Sequence, residues 1–437
     1  MRFMQSDRAL LERYLPGLDA ALAARPLAEL ESPNSLAIGL FREAGGPALL
    51  VPAANAGLGA DPLDAVRVQR AIGSRCPSLA VATTMHHFSV ASLIEAARTG
   101  TGLEGLLLEA IATDPLLVAS GFAEGRTHQS ILRPTIRAEH REGRIVLNGS
   151  KKPCSLSRSM DLLTASVMIS DDDGRRRLGV AIVPTASEGI SVRPFWHTSV
   201  LAGAESDEVV LSDVSLDPRM VVMTDAADDQ LDRVHLIGFL WFELLMTASY
   251  LGVASGLVER VLEQGKGTAV ERAAMATELR AAMLALESVA RAMADEDRTE
   301  AILADALMAR YAAQDTIARI TPTALAALGG MSFISSDEGT YLASAASALA
   351  FHPPARGQMA DPLCDFLNGH TLRIGTEHQA TPQQTETHTP TPHTTSPAAD
   401  GSAIPRRKQG ETAPNPDAAS PPTPAPAPSP HPAPTTP

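Results

Sequence analysis

Residues 144–167, RIVLNGSKKPCSLSRSMDLLTASV, decide how the rest of the chain is read. Ile145 and Leu147 alternate with polar neighbours, and a second apolar run extends from Leu162 to Val167, so the stretch predicts two strands, the first broken at Gly149. Between them stand small hydroxyl and thiol residues, Cys154, Ser155, Ser157 and Ser159, beside the cations Lys151, Lys152 and Arg158. Short donors next to cations at a strand edge suit a flat, electron-rich ligand that accepts hydrogen bonds.

A chain of 437 residues whose last part differs in composition predicts two or three domains sharing a large core. Its net charge of −14 argues against nucleic acid or an anionic membrane as a general partner, because phosphate recognition needs clustered cations. Cys76, Cys154 and Cys364 lie far apart with no Cys-x-x-Cys pair, so neither a disulfide framework nor a metal site is expected. The N-terminal MRFMQSDRALLERYLPG carries charges and no apolar core of the kind a secretory signal needs, and the expected location is the cytoplasm.

Outward from the opening stretch, residues from about 6 to 115 read as helices. Leu10, Leu11, Tyr14 and Leu15, then Leu18, Leu22 and Leu27, recur at roughly helical spacing. Gly57-Leu58-Gly59 has no preceding strand and no third glycine in register, and reads as a turn rather than a nucleotide loop. His86 and His87 point about 100° apart on a helix and do not share one ligand. Packing is their expected role, with one of them lining a pocket as the alternative. From about 114 to 225 short strands and turns take over. His235 to Val258, HLIGFLWFELLMTASYLGVASGLV, is the most apolar run in the chain and is long enough to cross a bilayer. Glu243 sits near its middle and no second such run follows, so a helix buried in a soluble bundle is predicted. A carboxylate there is costly unless paired, solvated or protonated, and desolvation raises its pKa, which suits a general base. The alternative for Glu243 is an ion pair with a cation such as Lys152 or Arg158.

Together these signals resemble the acyl-CoA dehydrogenase superfamily. The likeness rests on Asn148-Gly149-Ser150-Lys151 followed by Ser155 and Asp161, and on the stretch 37–90 with Val51-Pro52, the Gly57 turn and Cys76-Pro77-Ser78-Leu79-Ala80. It continues in VASGFAEGRTHQS (118–130) and in Ala204-Glu205-Ser206 before VVLSDVSLD. The resemblance implies an α+β multidomain fold: an N-terminal all-α domain (6–115), a middle β-barrel-like domain (116–225) and a C-terminal four-helix bundle (226–372). It implies FAD, with FMN as the alternative, against Phe122, Ala123 and Ser155, the Ser155 hydroxyl lying near the flavin N5, and Gly329 and Gly330 on the adenine side. It further implies an acyl-CoA or acyl-carrier-protein substrate, an electron-acceptor flavoprotein or a flavin reductase as partner, and a homodimer or homotetramer.

The departures from the family pattern concern chemistry. Gln129 stands where a Ser is usual, no Arg-x-x-Phe-Gly follows Leu262, and Ala326 replaces the Gln of Gln-x-Leu-Gly-Gly. A gapless count places Pro353 on the family's catalytic glutamate, which leaves Glu243 and His352 as the candidate catalytic residues, the imidazole having an ordinary pKa of about 6.5 suited to proton transfer. The main expectation is therefore flavin-dependent CH–CH oxidation of an acyl thioester. The alternative is a two-component flavin monooxygenase of the same fold, using reduced flavin and O2. Such enzymes also lack the Arg motif, carry a Cys-Ser pair as Cys154-Ser155 does, and have a His before prolines as His352 does. A catalytically degenerate binding subunit is the third possibility. The segment 373–437, rich in Pro, Thr and Ala with almost no large apolar side chains, does not offset the entropy of ordering and is expected to be a disordered, polyproline-rich tail.

Overall fold

The computed structural model describes residues 2–98, 100, 102–123, 134–170, 176–224, 231–294 and 299–374. The Pro-rich tail from 375 onward, and the positions of Glu124 and Gln129, lie outside the described residues. The leading helical register forms α1 (Gln5–Tyr14), α2 (Leu18–Ala23), α3 (Leu27–Leu30), α4 (Ala37–Glu43), α5 (Pro62–Arg75), α6 (Pro77–Ala97) and α7 (Leu103–Thr113). Start signals account for the two long ones: Asp61 accepts from the Asp64 amide ahead of α5, and proline opens both α5 and α6, where its missing N–H costs nothing.

The strands are β1 (Val118–Gly121), β2 (Arg137–Arg141), β3 (Arg144–Cys154), β4 (Leu162–Ser170), β5 (Arg176–Pro184), β6 (Ile190–Arg193), β7 (Asp207–Leu216) and β8 (Val221–Met223). They form one eight-stranded sheet in the order β6-β7-β3-β2-β4-β5-β8, and β1 also pairs with β4. β1 and β2 run parallel to β4, β1 along Leu162 to Ala165 and β2 beside Met168 and Ile169, while the other ladders are antiparallel. The break read at Gly149 is an irregularity in the β3–β7 register between Leu147 and Gly149, where φ is +146° and a side chain would press on Ile136.

After the sheet come α8 (Arg233–Glu263), α9 (Ala269–Ala294), α10 (Glu300–Leu328), α11 (Gly330–Ser335), α12 (Glu338–Ser347) and α13 (Arg356–Leu367). The apolar run is α8, and it is enclosed by α5, α6, α9, α10 and α12. Its approach to α5 is backbone to backbone. A Cβ on Gly73 would stand 2.3 Å from the Ser249 carbonyl oxygen, one on Gly252 2.3 Å from that of Arg70, and one on Gly256 2.6 Å from that of Ser74. Gln69 ties the three helices together, its Nε2 donating to the Ala80 carbonyl (2.5 Å) and to Ser249 Oγ (3.0 Å). α10 continues through Pro322, because Thr321, Ala324 and Leu328 keep the buried face that Ile317 and Ile320 begin.

Candidate functional site

The β3–β4 turn presents Ser155, and its shape is set by Glu205. The Leu156 amide donates to the Ala204 carbonyl (3.0 Å), the Ser157 hydroxyl to the Glu205 carbonyl (2.7 Å), and the Ser159 hydroxyl to Glu205 Oε1 (2.9 Å). Leu156 accepts a φ of +64° within this frame. Ser155 Oγ then lies 2.9 Å from Ser206 Oγ. Cys154 points to the other side, donating to the Ser120 carbonyl (3.3 Å), and burial pushes its thiol pKa up to about 12 against the pull of Lys151, so it is a neutral donor. The Lys152 amide donates to the Ala123 carbonyl (3.2 Å). Phe122 and Ala123, just after β1, thus adjoin β3, which ends at Cys154 beside Ser155. Of the cations, Lys151 is buried with Nζ on Ser166 Oγ (3.0 Å), Lys152 pairs with Glu208 (3.0 Å), and Arg158 donates to the Pro33 carbonyl (2.9 Å).

A file of rings runs from Phe122 across to α8. Phe122 meets His235 (centroids 6.5 Å) and Phe88 (5.8 Å), Phe88 meets Phe242 (5.6 Å), Phe242 meets His352 (6.4 Å), and His352 meets Tyr250 (5.4 Å). The file joins two sequence candidates, Phe122 and His352, that are 230 positions apart in the chain. His352 Nε2 lies 2.7 Å from the Tyr250 hydroxyl. Burial, with a smaller contribution from the Arg310 guanidinium, brings its pKa down to about 3, so the ring is neutral at physiological pH.

Glu243 is fully buried, and the cation that holds it is Arg310, also fully buried, rather than Lys152 or Arg158. Arg310 Nη1 donates to Glu243 Oε1 (2.9 Å), to Oε2 (2.8 Å) and to the Pro353 carbonyl (3.0 Å), while Nη2 donates to the carbonyls of His352 (2.5 Å) and Leu349 (3.3 Å). Burial pushes the Glu243 carboxyl above the ordinary glutamate value and Arg310 opposes this. With both oxygens engaged on one fully buried guanidinium, the carboxylate is held as half of an ion pair in the interior. Arg310 was invisible as a functional residue because it sits on a helix that reads as plain core. The available signal was a lone arginine continuing the apolar stripe Leu303, Leu307.

His86 accepts from the Val118 amide at Nδ1 (3.0 Å) and reaches the Pro47 carbonyl with Nε2 (3.0 Å), fixing β1 to the helical layer. His87 packs edge-on against Phe41 (5.8 Å), and among the described residues neither of its ring nitrogens has a partner. Gly329 and Gly330 form the α10–α11 junction, with open space around both, and no hydrogen bond brings them to Ser155. A cavity of about 760 Å³ opens beside the Ser155–Ser206 pair. Ser206, Arg158, Trp196, Tyr341, Glu31 and Asp207 line it; Phe122, Glu243 and His352 do not. The sequence candidates therefore fall into two adjoining places, the Ser155 turn with its cavity and the ring file ending at His352, with Gly329 and Gly330 apart.

No protein-family profile matches the chain. Over 379 residues it is 46% identical to isobutylamine N-hydroxylase of Streptomyces viridifaciens, covering 86% of this chain and 100% of that one. The solved structure of KijD3 in complex with FMN and a dTDP-linked amino sugar is similar with a TM-score of 0.71 over 83% of this chain and 93% of that one, at 20% identity. FMN-bound TdsC from Paenibacillus sp. A11-2 gives a TM-score of 0.68 over 85% and 98%, at 18% identity. At such identities the two structures establish the fold, helices before and after a sheet, whereas the first relative establishes kinship along its entire length. The chain belongs to the acyl-CoA dehydrogenase-like superfamily of flavoenzymes, on the branch that includes isobutylamine N-hydroxylase.

Proposed function

We propose that this protein is a flavin-dependent monooxygenase that N-hydroxylates a small primary alkylamine, drawing reduced flavin, FMN or FAD, from a partner reductase. The observation that carries the reading is the 46% identity to isobutylamine N-hydroxylase across that enzyme's full length. The geometry supports it by what it withholds from the competing reaction. Oxidation of an acyl thioester needs a base for the α-proton, but Pro353 stands at the expected glutamate position and Glu243 is locked on Arg310.

The residues present fit a flavin. Ser155 and Ser206 offer hydroxyl groups to ring acceptors, β1 brings Phe122 and Ala123 alongside, and the adjoining cavity is within the size range of cofactor sites. When bound, reduced flavin supplies the two electrons that send one atom of O2 to the amine nitrogen and release the other as water. The ring file supplies the environment for the amine. A primary alkylammonium resembles a lysine side chain, with a pKa of about 10.4, and its nitrogen is nucleophilic only after losing a proton. An amine held against Phe88, Phe122, Phe239 and Phe242 would meet surroundings that disfavour the charged form and so lower that pKa, while its short alkyl group would gain from apolar contact. The pairing of Glu243 with Arg310 agrees with this, since a free carboxylate among the rings would hold the ammonium as an ion.

The test is turnover of isobutylamine by the purified chain with O2 and either chemically reduced FMN or reduced FAD, set against a short acyl-CoA with an artificial electron acceptor. Oxygen-dependent formation of the N-hydroxylamine is the expected outcome. Acyl-CoA oxidation without oxygen, and no attack on the amine, would replace this reading with dehydrogenation.

A further inference from the structure

His352 has two ring nitrogens, and the protein accounts for one of them. Nε2 faces the Tyr250 hydroxyl at 2.7 Å, while among the described residues no group bonds Nδ1, which is not sealed in the interior. Tyr250 is fully buried on α8, and His352 is its hydroxyl's partner. A buried phenol has one hydrogen and needs an acceptor for it. If Nε2 carried the ring proton, it would donate to the phenol oxygen and leave the phenol hydrogen with no acceptor among the described residues. The arrangement satisfies both groups only when the phenol donates to a bare Nε2. Burial holds the Tyr250 phenol above its ordinary pKa, so the hydrogen stays on it. Of the charged groups acting on the pair, Arg310 bonds the His352 carbonyl and disfavours a second proton on the ring, while Glu31 adds to the upward push on the Tyr250 phenol.

We propose that Tyr250 fixes His352 as its Nδ1–H tautomer, so that what the ring offers beyond this pair is a hydrogen-bond donor at Nδ1 and not a base that takes a proton. A fixed donor of this kind stabilises an oxygen atom that gains negative charge as the reaction proceeds, which is where preorganised hydrogen bonds act most strongly. Tyr250 is in this account a positioning residue. What the donor does in turnover rests on the monooxygenase reading; the tautomer itself does not, and it can be read in the resting protein.

The experiment is a two-bond 1H–15N correlation spectrum of the full chain labelled with 15N-histidine at pH 7, the His352 signals being assigned by their loss in His352→Gln. The expected pattern has a protonated, pyrrole-type Nδ1 and an unprotonated, pyridine-type Nε2, and Tyr250→Phe moves the population toward Nε2–H. An Nε2–H pattern in the unmodified protein overturns the proposal. Should Tyr250→Phe fail to fold, two substitutions of His352 separate the same alternatives in turnover, since asparagine carries its amide near the Nδ1 position and glutamine near Nε2. His352→Gln then loses about 10²-fold in kcat and His352→Asn distinctly less. The reverse order refutes the donor role. If no amine is oxidised under any condition, the function reading fails while the spectrum still decides the tautomer.

Discussion

The Arg310–Glu243 pair separates a structural glutamate from a catalytic one, and the energies involved are large enough to measure. Glu243→Leu leaves Arg310 buried with only carbonyl partners, and Arg310→Met leaves the carboxylate buried with none; each single change is expected to cost about 3–5 kcal/mol. The double substitution removes both charges together and replaces them with side chains of similar volume, a change that in buried pairs is often close to neutral. Recovery here is incomplete, because the carbonyls of His352 and Pro353 lose Arg310 as donor, at about 1–3 kcal/mol for each that water does not reach. Leu349 fares better, its carbonyl still receiving Gln314 Nε2 at 3.3 Å. The double variant should therefore fall short of the summed singles by about 2–4 kcal/mol. Urea unfolding at pH 7, followed through the two tryptophans, Trp196 and Trp241, and in parallel by circular dichroism, supplies the free energies. Additive single effects would refute the coupling. A Glu243→Leu protein with unchanged stability and no turnover would return Glu243 to the role of base.

Three further outcomes are expected. Ser155→Ala removes the hydroxyl proposed to face the flavin and should weaken binding of oxidised flavin by up to about tenfold, the worth of one neutral hydrogen bond, as read by titration of flavin fluorescence; unchanged affinity would place the cofactor elsewhere. Gly252→Ala drives a methyl group onto the Arg70 carbonyl at 2.3 Å and should destabilise by about 1–3 kcal/mol in the same urea assay, whereas Gly357→Ala, which meets open space, should not. Stability should fall as pH is lowered from about 6.5 toward 4, because His86 and His352, with pKa values of about 4 and about 3, refuse protons in the fold that they take up in the unfolded chain. The sign follows directly: the unfolded state binds more protons in that window, so acid favours it, and His352→Gln should flatten the slope of melting temperature against pH.

The frame of this protein was legible because its signals are periodic or stereochemical. The two strands around Ser155, the glycine break at 149 and the apolar α8 each follow from local pattern, while the resemblance to the superfamily rested on motifs such as Asn148-Gly149-Ser150-Lys151 and Cys76-Pro77-Ser78-Leu79-Ala80. Pairings across long separations were not legible. Nothing near Glu243 announces Arg310, 67 positions away, and the nearby-sounding cations Lys152 and Arg158 are taken by Glu208 and the Pro33 carbonyl. Tyr250 read as one more ring in an apolar run, and its meaning comes from a contact 102 positions distant with His352. Glu205 likewise shapes the Ser155 turn from a neighbouring strand end, through backbone and side chain together. The role of Glu243 depended on such a partner, since a glutamate in an apolar helix reads equally as a base or as half of an ion pair until the other half is located.

The most direct test of the central claim is the fate of molecular oxygen. The chain would be supplied with reduced flavin and a short primary alkylamine under 18O2, and the product examined by mass spectrometry. The account predicts one 18O atom in the N-hydroxylamine for each amine consumed. Product oxygen derived from water, or flavin reoxidation that leaves the amine unchanged while an acyl thioester is oxidised in its place, would contradict it.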